Sequence, residues 1–275
     1  MSDKPEKKES LGSFAIFCLK LAVIVLVFRS FVFTSFNIPS ESMMPRLLVG
    51  DYLFAAKWPY GYSSRSLPYN VPLIPGRIFA STPERGDIVI FEHPIDGTDY
   101  IKRVIGLPGD QIQMIGGVLH INGAAVQKDR IEDLVLPTTV DKGCGSGRSH
   151  FTQPSADGGF ECHFPQFRET LPNGVSYEVL DFGQAPFSRE WNVSPDNTDT
   201  YIVPEGHLFM MGDNRDNSLD SRFPAAAGNG VGFVPEENVI ARASFMYFST
   251  DGHADWIKPW TWFTAARWGR IGRGI

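Results

Sequence analysis

The chain has 275 residues, of which 43% are hydrophobic and 13% aromatic, so it can bury a large core and does not resemble a disordered protein. Its formal net charge is −6 and it has no long basic run, which argues against a nucleic-acid partner. Glycine (27) and proline (20) occur throughout, a composition that favours many short strands joined by turns over long helices. A mostly β fold is the first expectation.

A long apolar segment follows the polar residues 1–10. Residues 11–33 are dominated by Leu, Ile, Val and Phe on every face, and about 20 such residues cross a bilayer as a helix. We therefore predict one transmembrane helix, although Lys20 places a costly charge within it. The alternative is a cleaved secretory signal, but no small-x-small cleavage site follows and the apolar stretch continues to Phe36.

Strand-like runs separated by turn signals follow this segment. They lie at 51–58, 86–94, 98–110, 111–123, 176–182, 201–216 and 239–248. Between residues 124 and 202 the sequence is polar and rich in Gly, Pro and Asp, and only 176–182 is clearly strand-like. We predict an antiparallel main β-domain from 34–123 and 203–250, an inserted β-region at 124–202 and a C-terminal tail at 251–275. The stretch 58–79 reads as an elaborated loop of unassigned function.

The cysteines and the tail each allow two interpretations. Cys144 and Cys162 form a disulfide if their loop-rich region faces an oxidising compartment. Metal ligation by these cysteines and His163 is the alternative, but it lacks any paired ligand spacing. The tail suits either a membrane interface or packing on the β-domain. Its aromatic and basic residues are Trp256, Trp260, Trp262, Trp268, Arg267, Arg270 and Arg273.

Two prolines bracket a pair of serines just after the apolar segment. Pro39 and Pro45 fix backbone φ and bias the preceding residues toward extended conformations. The backbone at Ser40 and Ser42 should therefore be preorganised. A serine held in this way is a candidate nucleophile, although most serines between prolines are simply turn residues.

Lys102 lies in the predicted strand 98–110, where alternate residues share a face. Tyr100 and Val104 therefore flank it with aromatic and apolar surface. A lysine acts as a general base only when neutral, and lowering its pKa from about 10.4 to about 7 disfavours the ammonium by roughly 4 to 5 kcal/mol, which burial can supply. Lys102 is thus a candidate base, with a solvated strand lysine as the ordinary alternative.

Residues 212–222, GDNRDNSLDSR, form a dense polar cluster directly after an apolar run. Such clusters usually make surface turns. This one is also suited to a hydrogen-bonded support for an active site, in which Ser218 orients the lysine amine. Arg222 would then pair with Asp213 or Asp220.

Four motifs, taken together and in order, resemble those of the bacterial type I signal peptidases. They are IPSESMMP at 38–45, RGDIVIF at 85–91, YIKRVIGLPGD at 100–110 and GDNRDNSLDSR at 212–222. The apolar start of the chain fits the same family. The resemblance implies a membrane-bound serine endopeptidase whose catalytic domain is the antiparallel main β-domain. One departure is Glu41, which stands where the best-known members carry glycine.

The resemblance also implies a role for each matched position. Ser42 would attack the scissile carbonyl and Lys102 would be its general base. Ser40 and the Ser42 backbone N–H would donate to the oxyanion. No metal or other cofactor is implied. The matched positions that orient the lysine or support the site are Ser218, Asp213 and Arg222.

The implied activity is removal of N-terminal signal peptides from exported preproteins, after small residues at −1 and −3. Ile38, Pro39 and Tyr100 are candidates to line the substrate pockets. The implied location is the inner (cytoplasmic) membrane, crossed once, with the catalytic domain on the periplasmic side and membrane lipid as a second partner. The early lysines agree with a cytoplasmic N-terminus, although Arg29 and Arg46 dilute that bias.

Three other functions remain open from the sequence. Ser42, His207 and Asp213 could form a catalytic triad, since triads are recognised by geometry and not by order. An anchored β-domain could bind envelope partners without catalysis. A related membrane protease could process a narrower set of substrates.

Overall fold

The computed structural model describes residues 11–139, 143–145, 147–183, 194–255 and 257–275. The predicted cytoplasmic N-terminus (1–10) and Trp256 of the tail lie outside these residues. The α-helices are α1 (Leu11–Phe31) and α2 (Trp260–Thr264). The strands are β1 (Phe33–Asn37), β2 (Asp51–Ala56), β3 (Tyr62–Ser63), β4 (Arg77–Ile78), β5 (Ile88–Glu92), β6 (Asp99–Gly106), β7 (Gln111–Ile115), β8 (Val118–Ile121), β9 (Ala124–Ala125), β10 (Gln127–Thr138), β11 (Thr152–Pro154), β12 (Phe160–Thr170), β13 (Ser176–Leu180), β14 (Tyr201–Ile202), β15 (His207–Met211), β16 (Val234–Pro235) and β17 (Val239–Ser249). Short 3-10 helices lie at Trp58–Tyr60, Ser64–Ser66, Pro68–Asn70, Ser149–Phe151, Arg215–Asn217, Glu236–Asn238 and Trp268–Arg270.

The N-terminal helix α1 is apolar on all sides. Ser30 is its one buried residue, and the leucine, isoleucine, valine and phenylalanine side chains along it are exposed. Among the described residues it is the one helix long and apolar enough to cross a membrane. The helix was predicted over residues 11–33 and ends two residues earlier, at Phe31, because β1 begins at Phe33 and pairs with β2.

The largest sheet is antiparallel and has seven strands in the order β1-β2-β17-β5-β6-β15-β16. Strands close to both ends of the chain therefore lie side by side. In β5 four consecutive residues, 88–91, are buried, because this central strand is covered on both faces. The fold is mostly β with an N-terminal apolar helix, as the sequence predicted.

The polar region after residue 124 contains more regular structure than its composition indicates. Strands β10, β12, β11 and β13 form a four-stranded antiparallel sheet. The expectation that only 176–182 is strand-like is wrong. Strand β10 reads as polar because most of its side chains remain in contact with solvent, and β12 contains Pro165, a residue type that is uncommon within strands.

Strands β7, β8, β9 and β14 form a further four-stranded sheet. The β7–β8 hairpin turns at Gly116 and Gly117, both at positive φ. One core joins the three larger sheets, with Ile105 from β6, Met114 from β7 and Val179 from β13 buried together. The elaborated loop 58–79 holds the short hairpin of β3 and β4.

Two links other than strand pairing restrain the chain. Cys144 and Cys162 form a disulfide, so neither sulfur is available as a metal ligand. In the tail, Arg270 binds the Asp51 carboxylate at 2.5 Å, which fixes the backbone against the main sheet. The rings of Trp260 and Trp268 nevertheless point outward, with 65% and 59% of their surface exposed. The tail thus combines packing through its backbone and arginines with an exposed aromatic face.

Candidate active site

The serine segment lies in a turn between β1 and β2. The backbone N–H of Ile38 donates to Asp51 O at 2.8 Å, and Gly50 N–H donates to Ile38 O at 3.0 Å, so both ends of the turn are closed. Leu47 N–H bonds to Met43 O at 2.9 Å within it. The side chains of Met43 and Leu47 are buried in the main sheet's core, which holds Ser42 in a fixed position.

Lys102 in β6 reaches the candidate nucleophile. Its Nζ lies 2.8 Å from Ser42 Oγ and donates a second hydrogen bond to Ile101 O at 3.1 Å. The lysine side chain is buried, with its Nζ 5.5 Å from the centre of the Tyr100 ring. Burial lowers the pKa of Lys102 from 10.5 to about 8, and the negative charges of Asp220 and Asp213 oppose this shift. A neutral amine next to a serine hydroxyl can accept its proton.

Ser40 lies beside the same hydroxyl, because its Oγ is 3.3 Å from Ser42 Oγ. Both serines open onto a cleft of about 600 Å³. The residues that line the cleft are Phe36, Asn37, Ile38, Pro39, Ser40, Ser42, Ile90, Asp99, Tyr100, Ile101, Lys102, Asp216, Asn217, Ser218, Leu219 and Phe223. The three residues expected in substrate pockets are among them. A larger cavity of about 680 Å³ lies elsewhere, among charged side chains, and contains neither catalytic candidate.

Ser218 also lines the cleft, but it does not hydrogen-bond the lysine amine. Its Oγ is buried and makes no hydrogen bond of ordinary geometry, although it lies close enough to Asp220 to help lower the pKa of that carboxyl. The nearby Asp216 also lines the cleft, and burial raises its pKa to about 6. The orienting role of Ser218 stays a prediction.

Gly212 brings the polar loop against the serine segment. A Cβ built at this position would lie 2.3 Å from Ser218 Oγ and 2.5 Å from Ser42 O, closer than real Cβ atoms approach. Asn214 N–H donates to Ser42 O at 3.0 Å on the same side. The loop and the backbone of Ser42 are therefore in direct contact.

Buried ion pairs fix the polar loop 212–222. Asp213 accepts two hydrogen bonds from Arg103, both at 2.7 Å, and Arg222 binds both carboxylate oxygens of Asp220 at 2.9 Å. Of the two partners considered for Arg222, Asp220 is the one found. The partner of Asp213 was missed in the sequence because Arg103 follows Lys102 directly, on the opposite face of β6.

A third ion pair connects this loop to the inserted sheet. Arg215 donates to both oxygens of Glu169 in β12, at 2.7 and 2.5 Å, and Tyr177 in β13 donates to the same carboxylate at 3.0 Å. The Arg215 and Glu169 side chains are at most 2% exposed. Nothing in the sequence pairs Arg215 with Glu169, because Glu169 belongs to β12, a strand that the composition did not indicate.

The alternative catalytic and metal sites find less support in the geometry. His207 does not line the cleft; its Nδ1 lies 2.9 Å from Glu205 O. Asp213, the third member of the alternative triad, is bonded to Arg103 instead. Within the described part of the chain, no group of three or more His, Cys, Asp or Glu side chains is arranged to hold a metal ion.

Comparison with known proteins assigns this chain to a family. The family profile described as "Signal peptidase, peptidase S26" matches residues 11–248. Signal peptidase I of Rickettsia akari is 39% identical, with 94% of this chain and 91% of the relative covered. Signal peptidase I of Rickettsia conorii is 40% identical over 88% of this chain and 80% of the relative.

Among solved structures, a signal peptidase I from Enterococcus faecalis V583 matches with 24% identity and a TM-score of 0.29. That match covers 59% of this chain and 97% of the other. The assignment depends on the family profile and the Rickettsia relatives, which cover nearly the whole chain. The chain therefore belongs to the signal peptidases of the peptidase S26 family and is a serine endopeptidase.

Proposed function

We propose that this protein removes N-terminal signal peptides from exported preproteins through a Ser42–Lys102 dyad. The observation that carries the proposal is the 2.8 Å contact between Lys102 Nζ and Ser42 Oγ, made by a buried amine whose pKa is lowered to about 8. Such an amine is neutral in a sizeable fraction of molecules near neutral pH, and it is positioned to act as a general base.

The proposed reaction passes through an acyl-enzyme. Neutral Lys102 takes the proton of Ser42 as its Oγ attacks the scissile carbonyl, and the resulting oxyanion receives hydrogen bonds from the Ser40 hydroxyl and the Ser42 backbone N–H. The Lys102 ammonium then protonates the departing amine as the peptide bond breaks. Water, deprotonated by the same lysine, hydrolyses the ester and regenerates Ser42. No step requires a metal or other cofactor.

We assign a positioning role to Ser218. Its buried hydroxyl makes no hydrogen bond of ordinary geometry, so a modest rotation toward the Lys102 amine would not cost it an existing hydrogen bond. The new hydrogen bond between Ser218 and Lys102 would hold the amine in place while Lys102 transfers the proton. Asp213 and Arg222, through their buried ion pairs, keep the loop that carries Ser218 against the nucleophile.

The cleft supports recognition of small residues at −1 and −3 of the substrate. Ile38, Pro39 and Tyr100 line the same cleft as Ser42 and present apolar and aromatic surface to it. A shallow apolar pocket accepts a small side chain and excludes a large one by overlap. These three residues are therefore the proposed substrate contacts.

We further propose that α1 anchors the protein in the inner membrane with the catalytic domain on the periplasmic side. The helix is apolar on all faces, and its end packs on the sheet, where the Phe33 ring lies 4.9 Å from Trp58 and 5.6 Å from Phe245. Aromatic residues at such a junction favour contact with lipid headgroups. The disulfide favours an oxidising compartment, as the periplasm is.

The test is cleavage of a purified preprotein by the full-length protein and by Ser42→Ala, Lys102→Ala and His207→Ala. We expect the first two variants to lose at least about 1,000-fold in kcat/KM, as removal of a nucleophile or its base does elsewhere. His207→Ala should keep wild-type activity. A serine-directed acylating inhibitor should label the protein only when Ser42 is present.

Two results would end the proposal. Loss of cleavage in His207→Ala with retention in Lys102→Ala would favour a histidine base. Absence of both cleavage and labelling in the wild-type protein would favour an anchored binding domain.

A further inference from the structure

Glu41 stands between the two active-site serines and is bound by residues from two other segments. Its Oε2 accepts hydrogen bonds from Arg148 Nη2 at 2.7 Å and from Asn217 Nδ2 at 2.9 Å. Its backbone oxygen accepts one from Asn214 Nδ2 at 3.1 Å. Asn214 and Asn217 belong to the polar loop, whereas Arg148 belongs to the inserted region. Glu41 therefore joins both of them to the serine segment.

Arg148 is held in place independently of Glu41. Its guanidinium lies 5.7 Å from the centre of the Phe164 ring and 5.8 Å from that of Phe182, distances typical of cation–π contacts. Its backbone N–H donates to Gly145 O at 3.1 Å. It also lies within the loop that the disulfide closes against β12, and its side chain is only 16% exposed. These contacts hold the Arg148 guanidinium against the inserted sheet.

A second contact joins the same two parts of the molecule on the other side of the nucleophile. Met44 and Leu48 are buried in one cluster with both cysteines of the disulfide and with Phe164. The serine segment is therefore bound to the inserted sheet by a charge pair just before Ser42 and by apolar packing just after it.

We propose that Arg148 is a positioning residue for the reaction, which acts through Glu41 to fix the backbone that carries Ser40 and Ser42. The inference rests on the proposed role of Ser42 as nucleophile. The Glu41 side chain is 39% exposed, so the pair contributes little to stability. The pair acts instead on the positions of Ser40 and Ser42, and a displacement of about 1 Å at a reacting group can lower a rate by about 100-fold.

The charges that act most on the Lys102 amine are those of Asp220, Asp213 and Arg222. Arg148 is not one of these charges, so removing it should slow the reaction without moving the pH midpoint of the reaction. A variant that had only lost folded protein would instead show fewer competent sites per molecule.

The test measures acylation of the full-length protein by a serine-directed inhibitor, which reports both the rate constant and the number of reactive sites. We expect Arg148→Met to lower the acylation rate constant and kcat about 10-fold, with KM, the pH midpoint and the number of reactive sites unchanged. The matched control is Arg168→Met, which removes an exposed ion pair with Glu178 from the same sheet and should react as the wild type does.

A double-mutant cycle tests the connection through Glu41. If the two residues act as one unit, Glu41→Ala combined with Arg148→Met loses no more than the more damaging single change. A wild-type rate in Arg148→Met, additive losses in the cycle, or fewer reactive sites at an unchanged rate would each overturn the proposal. Failure of the proposed function is a separate result, because either Ser42→Ala would still be labelled or the wild-type protein would not be labelled at all.

Discussion

At the scale of single residues, the buried amine of Lys102 is the decisive group. Lowering its pKa from 10.5 to about 8 disfavours the ammonium by roughly 3 kcal/mol, and burial is the main cause. Two nearby carboxylates, Asp220 and Asp213, oppose the shift, but each is bonded to its own arginine. The ion pairs thus reduce the negative charge near the amine as well as bracing the loop.

The pH dependence of cleavage follows from this group. The base works only when it is neutral, so kcat/KM should be low under acidic conditions and rise about tenfold per pH unit until it levels off above pH about 8. A pH series on the wild-type protein with a short peptide substrate measures this midpoint. A midpoint near 10.5, the ordinary value for lysine, would show that the amine is solvated.

At the scale of elements, the polar loop 212–222 depends on three buried ion pairs, made by Asp213, Arg215 and Arg222 with partners in β6, in β12 and within the loop. Two of the three partners come from other elements. A loop with so many turn residues would ordinarily be mobile, and these pairs convert it into a fixed wall of the cleft.

Removing one member of such a pair should be severe. Arg222→Met leaves the Asp220 carboxylate buried without its partner, and we expect a loss of about 3 to 5 kcal/mol in the free energy of unfolding. Denaturant unfolding in detergent measures the loss. Arg222→Met combined with Asp220→Asn should recover part of it, because no uncompensated charge remains. Equal stability of Arg222→Met and the wild type would contradict this account.

The sequence predicted most of the main sheet and little of the inserted one. Strands such as β5 and β15 carry continuous apolar runs that mark them as buried, whereas β10 begins with consecutive charged residues, stays in contact with solvent and reads as a loop. Burial patterns were therefore visible only where both faces of a strand are covered.

The sequence likewise predicted one part of the candidate active site and missed another. Ser42 and Lys102 stand in distinctive local motifs, and the structure brings them together. Their supports, Glu169 and Arg148, lie in the region of weakest pattern and are paired with the site only through the fold. Residue pairs that meet across two sheets leave no local trace in a single sequence.

At the scale of the whole molecule, α1 and the catalytic domain are joined almost directly. One residue, Val32, separates α1 from β1, and its N–H still bonds to Phe28 O in the helix at 2.8 Å. Tyr62 in the elaborated loop also donates to Phe31 O at 2.9 Å. With α1 in the membrane as proposed, the height of the cleft above the bilayer would therefore be set by short, bonded segments.

Adding a flexible Gly-Ser-Gly-Ser spacer between Phe31 and Val32 should separate these two parts. We expect cleavage of a soluble peptide to stay within about twofold of the wild type, while cleavage of a preprotein embedded in lipid vesicles falls about 10-fold. The same spacer after Asp157, in an exposed turn, is the matched control and should affect neither. Equal cleavage of the embedded substrate by both insertion variants would refute the proposed height constraint.

Gly212 constrains the cleft through its small size and not through charge. Any side chain larger than hydrogen at Gly212 would overlap both Ser218 and the carbonyl of Ser42, so glycine sets the gap between the polar loop and the serine segment, which are two walls of the cleft. Substitution of Gly212 should therefore be poorly tolerated, although this position holds no reactive group. Inhibitors that press on these walls would leave the enzyme few routes to resistance there.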